Sequence, residues 1–148
     1  MTGSTYKSFG GPPSRMVFTS SAELAARLDK IAFPGLTANF NLSRAAAIVT
    51  PVLDLLTQGR EYAKICIFNA KAVAERLHTR GCEVFHISGK GFANSLHVAL
   101  PAANYGGGDT TSKLLEKPNL FTSKIGLPLP PVPGYFNAIR LGTQEITR

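Results

Sequence analysis

Lys7 stands in the run Ser4-Thr5-Tyr6-Lys7-Ser8-Phe9-Gly10-Gly11-Pro12, an amine preceded by hydroxylic residues and followed by a glycine-rich turn. This pattern suits a lysine held beside a phosphate-bearing cofactor. The hydroxyls can bond phosphate oxygens or a cofactor ring, and the glycines let backbone come close. An aldehyde such as pyridoxal phosphate condenses with an amine placed in this way. By itself the run is read first as a solvated surface lysine.

The other chemistry-bearing side chains form no cluster in sequence. His78, His86 and His97 lack the spacing of a metal site, and Cys66 and Cys82 are far apart, as expected of buried free thiols in a reducing compartment. The 16 basic and 9 acidic residues give a net charge of +7, but the cations are scattered. Without a basic block interleaved with aromatics, nucleic-acid binding is not expected, and an anionic small-molecule site explains the excess better. No apolar run approaches the ~18 residues of a membrane span, and no signal segment opens the chain, so a cytoplasmic location is expected. At 148 residues, 44% hydrophobic and 17% charged, the chain reads as one or two small globular domains.

The elements that must position Lys7 can be read along the chain. Met16–Thr19 reads as a strand after the Gly/Pro turn. Ser20 and Glu23 form a capping-box pattern that predicts a helix from Ser21 to about Ile31. Phe33-Pro34-Gly35 ends it, and 36–42 reads as a loop. Residues 43–80 are helical in pattern, with Pro51 and Gly59 predicting a kink or two helices. Ile48–Leu56 is apolar nearly all round and is expected to be buried. Gly81 is a good helix terminator. Beyond it, Cys82–Ile87, Ser95–Leu100 and Phe136–Leu141 read as the strands of a small sheet. Gly106–Gly108 reads as a flexible turn, Thr110–Glu116 as a short helix, and Leu120–Ser123 as a further strand. Leu127–Pro133 holds four prolines and is expected to be an ordered, extended loop. The whole predicts an α/β protein.

Two more segments carry a family resemblance. Phe33-Pro34-Gly35 follows the lysine and a helix, and Ile139-Arg140-Leu141-Gly142-Thr143 lies near the end, before Thr147-Arg148. Lysine run, FPG and RLGT, in this order around a long helix, resemble the serine hydroxymethyltransferase family, fold-type I enzymes dependent on pyridoxal 5'-phosphate (PLP). The resemblance covers the whole chain, but the chain covers only part of the family's length, from just before the cofactor lysine to just after RLGT. It implies that Lys7 carries PLP, that Ser4 helps to position it, and that Arg140 binds the substrate α-carboxylate through its planar fork. It implies residues 1–42 as the end of a large PLP-binding domain, 43–80 as a linking helix, and 81–148 as a small, incomplete C-terminal αβ domain. It also implies an amino-acid substrate and a homodimer or tetramer with the active site at the interface.

The chain departs from the family at several positions. The family's loop after FPG reaches the partner's cofactor phosphate with two glycines, and these are Ala38 and Asn39 here. The family's histidine before the lysine is Tyr6, which supplies a ring and a hydroxyl beside the cofactor. The arginine after the Gly-Pro turn is Pro13. The asparagine that contacts folate falls at Ile125, which cannot make those bonds. PLP use is thus better supported than use of tetrahydrofolate. A folate-independent aldolase, a threonine transaldolase or an α-methylserine-type enzyme fits these changes. No acidic residue has the context of the pyridine-nitrogen partner, and the family's aspartate, stacking histidine and catalytic glutamate all precede the lysine. A fragment that is inactive alone is expected. The alternative from another class is a non-catalytic αβ interaction domain whose charge suits an acidic partner.

Overall fold

The computed structural model describes residues 1–39 and 41–148. The chain divides into two units, Met1–Gly59 and Arg60–Arg148. In the first, β1 (Thr2–Ser4) and β2 (Arg15–Val17) pair antiparallel, with Thr2 opposite Val17 and Ser4 opposite Arg15. The strand expected at Met16–Thr19 therefore begins earlier and ends at Val17, and residues 5–14 are the loop of a hairpin.

Helix α1 (Ala22–Lys30) is capped by Ser21, whose Oγ accepts from the Leu24 amide at 3.2 Å. The box expected between Ser20 and Glu23 does not form; Glu23 instead lies in the first turn, where a carboxylate suits the positive end of the helix dipole. A π-type turn, Ile31–Leu36, follows, and Phe33 inside it is extended (φ −141°, ψ 126°). A residue before proline is pushed out of the helical region, so FPG ends the helix as expected. Thr37 closes the turn, donating from both N and Oγ1 to the Ala32 carbonyl. Phe40, within the segment expected as loop, lies outside the described residues.

Two helices follow, α2 (Leu42–Ala47) and α3 (Val49–Thr79). Asn41 caps α2, accepting from Arg44 N at 3.0 Å. The break falls at Ile48, three residues before Pro51. Proline has no N–H to give the Ala47 carbonyl, but it is tolerated in the first turn of the new helix. Gly59 interrupts nothing. The expected burial of Ile48–Leu56 is not found: Pro51 is buried, whereas Val49, Leu53 and Leu56 are 54%, 57% and 76% exposed. A unit this small has too few elements to cover an all-round apolar helix.

The second unit holds an antiparallel sheet in the order β3 (His97–Pro101), β5 (Ala138–Gly142), β4 (Ser123–Ile125). Val98 opposes Leu141, and Ala99 opposes Arg140, which opposes Ser123 on the other side. Helix α3 lays Ala70 and Ala74 against Val84 and Val98 to form the core. Small residues four apart on one helical face let α3 approach the sheet closely. Gly81 ends α3 at φ +85°, with Cys82 N bonding Leu77 O.

Four sequence expectations fail in this unit. Cys82–Ile87 is not a strand: it lies beside β3 through one bond, Phe85 N to Ala99 O at 2.9 Å, and the third strand is β4. The expected strand at Leu120–Ser123 starts only at Ser123. Gly106–Gly108 is not a flexible turn but the start of α4 (Gly107–Glu116), with Gly107 and Gly108 buried. A side chain at Gly108 would collide with the Ala138 carbonyl, so glycine is there for close packing. Cys82, expected to be buried, is exposed, while Cys66 is buried. A last short helix, α5, spans Gln144–Thr147.

Among the described residues no helix is long and apolar enough to cross a membrane, and no group of three or more His, Cys, Asp or Glu could hold a metal ion.

Candidate functional site

Lys7 sits in the loop between β1 and β2, and the loop is pinned by its neighbour. Thr5 is fully buried. Its N–H donates to Ser14 O at 3.1 Å, its carbonyl accepts from Gly11 N at 2.6 Å, and its hydroxyl donates to Pro12 O at 2.5 Å. Lys7 O accepts from Gly10 N at 2.8 Å, a tight turn that Gly10 closes at φ +75°. The sequence counts Thr5 among the hydroxyls free to bond a cofactor, but its hydroxyl is buried and committed to Pro12 O, so its role is structural. Its signal was a β-branched hydroxyl at the entrance to a Gly/Pro loop, where such a side chain can bond backbone that the loop leaves unpaired.

The lysine itself is exposed, with Nζ 6.0 Å from the centroid of the Tyr6 ring, and Tyr6 is about half exposed. Ser4 ends β1 opposite Arg15. The structure thus brings Ser4, Tyr6 and Lys7 together on one hairpin. Residues 1–17 contain Lys7 and Arg15 but no carboxylate. An accessible amine, hydroxyls and uncompensated positive charge fit a phosphate-bearing aldehyde. Ala38 and Asn39 belong to the same unit, on a separate exposed segment after Thr37.

Arg140 lies in the second unit, at the middle of β5. Strand side chains alternate between faces. Val98, Leu100, Ile139 and Leu141 point to the core side, so Arg140 points to the other. Its cross-strand neighbours are small, Ala99 and Ser123, and its Nη2 donates to Ser123 Oγ at 3.5 Å. Arg140 is partly exposed there. Sequence reasoning missed Ser123, which only the register reveals.

The other polar contacts of this unit hold its loops. Asn137 is buried and ties the proline-rich segment: Oδ1 accepts from Leu127 N at 2.7 Å, and Nδ2 faces the Leu127, Leu129 and Pro130 carbonyls at 3.0, 3.1 and 3.4 Å. The ordered loop expected there is present. Asp109 accepts from Lys124 Nζ and from Phe136 N, and the Lys124 ammonium holds its carboxyl below the usual value. Tyr62 donates to Gln144 O at 3.2 Å; burial pushes its hydroxyl pKa up, its bond with Cys66 adds to that, and Arg148 opposes it. Ile125, at the family's folate position, is half-buried in β4. An apolar cavity of about 350 Å³ lies on the core side of the sheet, lined by Leu77, Leu100, Leu114, Leu120 and Ile139, away from Arg140.

No protein-family model matches this chain. It is 44% identical over 148 residues to an alpha-methylserine aldolase of a Ralstonia species, covering all of this chain and 34% of that protein. An alpha-methylserine aldolase of Variovorax paradoxus is 43% identical over 148 residues, 33% of its length. The serine hydroxymethyltransferase of Archaeoglobus fulgidus is 38% identical over 150 residues, again all of this chain and 34% of that protein. The chain is an α/β protein whose homologues, over its whole length, are named serine hydroxymethyltransferase and alpha-methylserine aldolase. It spans about a third of the length of these curated relatives.

Proposed function

We propose that this chain is the lysine-bearing segment of a PLP-dependent enzyme that makes or breaks the Cα–Cβ bond of a β-hydroxy amino acid. One conjunction carries the reading. Similarity to such enzymes runs through all 148 residues, and within it Lys7 is an exposed amine on a hairpin pinned by buried Thr5. Lys7 holds the cofactor covalently. Ser4 and Tyr6 flank it, and Ala38 and Asn39 meet the partner protomer's cofactor phosphate through backbone N–H groups. Arg140 binds the substrate α-carboxylate and so fixes which bond of the amino acid is presented for cleavage. When bound, PLP supplies the electron sink for that cleavage. Residues 1–42 close the cofactor-binding domain, 43–80 link, and 81–148 form the small domain. The whole protein is a cytoplasmic homodimer.

The aldolase version is favoured over the folate-dependent one. Ile125 offers no hydrogen bond where folate would need one, and alpha-methylserine aldolases are among the chain's relatives at 43–44% identity, above the 38% of the hydroxymethyltransferase named above. The test is release of formaldehyde from α-methylserine by the whole protein without added folate. Release that disappears in Lys7→Ala supports the reading. Release only with tetrahydrofolate moves the enzyme to the hydroxymethyltransferase version. A colourless protein that takes up no PLP and cleaves neither serine nor α-methylserine supports the interaction-domain alternative.

A further inference from the structure

We infer that Thr143 is a positioning residue for Arg140: its buried hydroxyl fixes where β5 lies against α3, and thereby where the guanidinium stands. The inference rests on the reading of Arg140 as the carboxylate ligand. Thr143 is the first residue past β5, three beyond the arginine, and it is 2% exposed. Its Oγ1 donates at 2.8 Å to the carbonyl of Cys66 in α3 and lies 3.2 Å from the carbonyl of Leu96, just before β3. Its N–H donates to the same Leu96 carbonyl at 3.0 Å. Its own carbonyl accepts from Thr147 Oγ1 at 2.6 Å, and Thr147 in turn accepts from Asn69 Nδ2 of α3 at 3.0 Å. Helix α3, the entry to β3 and the exit of β5 therefore meet at one hydroxyl.

The strand needs such a tie. Its neighbour β4 is only three residues long, so the Ser123–Arg140 pair is the last on that side. Beyond it, on the β4 side, β5 has no ladder to hold it. A carboxylate clamp tolerates little error, because bidentate geometry is directional and small misplacements cost much.

Thr143→Val keeps the shape and removes the tie. It orphans no carbonyl: Leu96 O keeps the Thr143 N–H, and Cys66 O lies inside α3, where the helix repeat supplies the Ala70 N–H. The variant should therefore fold. In the whole enzyme its KM for the amino acid should rise about five- to tenfold with kcat within about twofold. Thr143→Ser, which keeps the hydroxyl, should restore KM. Arg140→Ala is run beside them, alone and combined with Thr143→Val. If Thr143 acts through Arg140, the valine change adds nothing further to KM in the Arg140→Ala background.

A second readout is independent of activity: amide hydrogen exchange at Leu141 and Gly142 should quicken in Thr143→Val and not in Thr143→Ser. An unchanged KM in Thr143→Val, a serine variant as impaired as valine, or additive effects in the double variant would overturn the proposal. If Arg140→Ala itself leaves KM unchanged, the carboxylate reading of Arg140 is what has failed.

Discussion

In the second unit Ala70, Ala74, Val84 and Val98 are between 0% and 3% exposed, whereas in the first Leu36, Leu42, Leu53 and Leu56 are between 57% and 80% exposed. The two regions have similar raw material and use it differently. The sheet unit encloses a core and presents Arg140 on its outer side. The hairpin unit encloses little beyond Thr5 and Pro51, yet carries the lysine. Local hydrogen bonds, not a core, hold Lys7 in place. A few short contacts thus fix the backbone that carries the lysine, while the stability of the unit has to come from elsewhere.

Changes to buried groups of the sheet unit should have the largest effects. Val98→Asp puts a carboxylate at a fully buried position facing α3, and a loss of more than ~4 kcal/mol is expected, enough to unfold the unit in thermal or denaturant titration. Asn137→Ala should cost about 1–3 kcal/mol, because the Leu127 amide and three carbonyls lose their partner. Its signature is faster proteolysis within Leu127–Pro133, with α3 unaffected.

Asp109 gives a pH-dependent version of the same comparison. Its carboxyl is depressed, so its contribution is fully present above the ordinary value of 3.8 and is lost as pH falls through the lowered folded value. Asp109→Asn should remove that acid-side step from the melting curve of the sheet unit, and a step of unchanged size in the variant would refute the assignment. At the small end stands Leu53→Ser. With the side chain already 57% exposed, a change within about 0.5 kcal/mol is expected. A loss of several kcal/mol would mean that this helix face is covered in the protein tested.

The same contrast decides what could be read from the sequence. The α/β class, the Phe33-Pro34-Gly35 break, the Gly81 stop and the β5 strand followed from local rules. Ser20 was taken for the cap that Ser21 provides, since adjacent serines offer the same chemistry and only the chain's entry angle chooses. Cys82–Ile87 alternates like a strand, but pairing depends on a neighbour that a one-chain pattern does not contain. Gly106–Gly108 looked like freedom and proved to be contact with Ala138, a residue thirty positions on. At the site, Lys7 and Arg140 were legible because their types and motifs are unusual. The structural roles of Thr5, Ser123 and Thr143 were not legible, because what they do lies in bonds to distant backbone or across a register.

The most direct measurement is borohydride reduction of the PLP-treated whole protein, followed by peptide mapping. The account predicts a phosphopyridoxyl group on Lys7, absent from Lys7→Ala. A protein that takes up no PLP, or an adduct confined to other lysines in the unaltered chain, would contradict it.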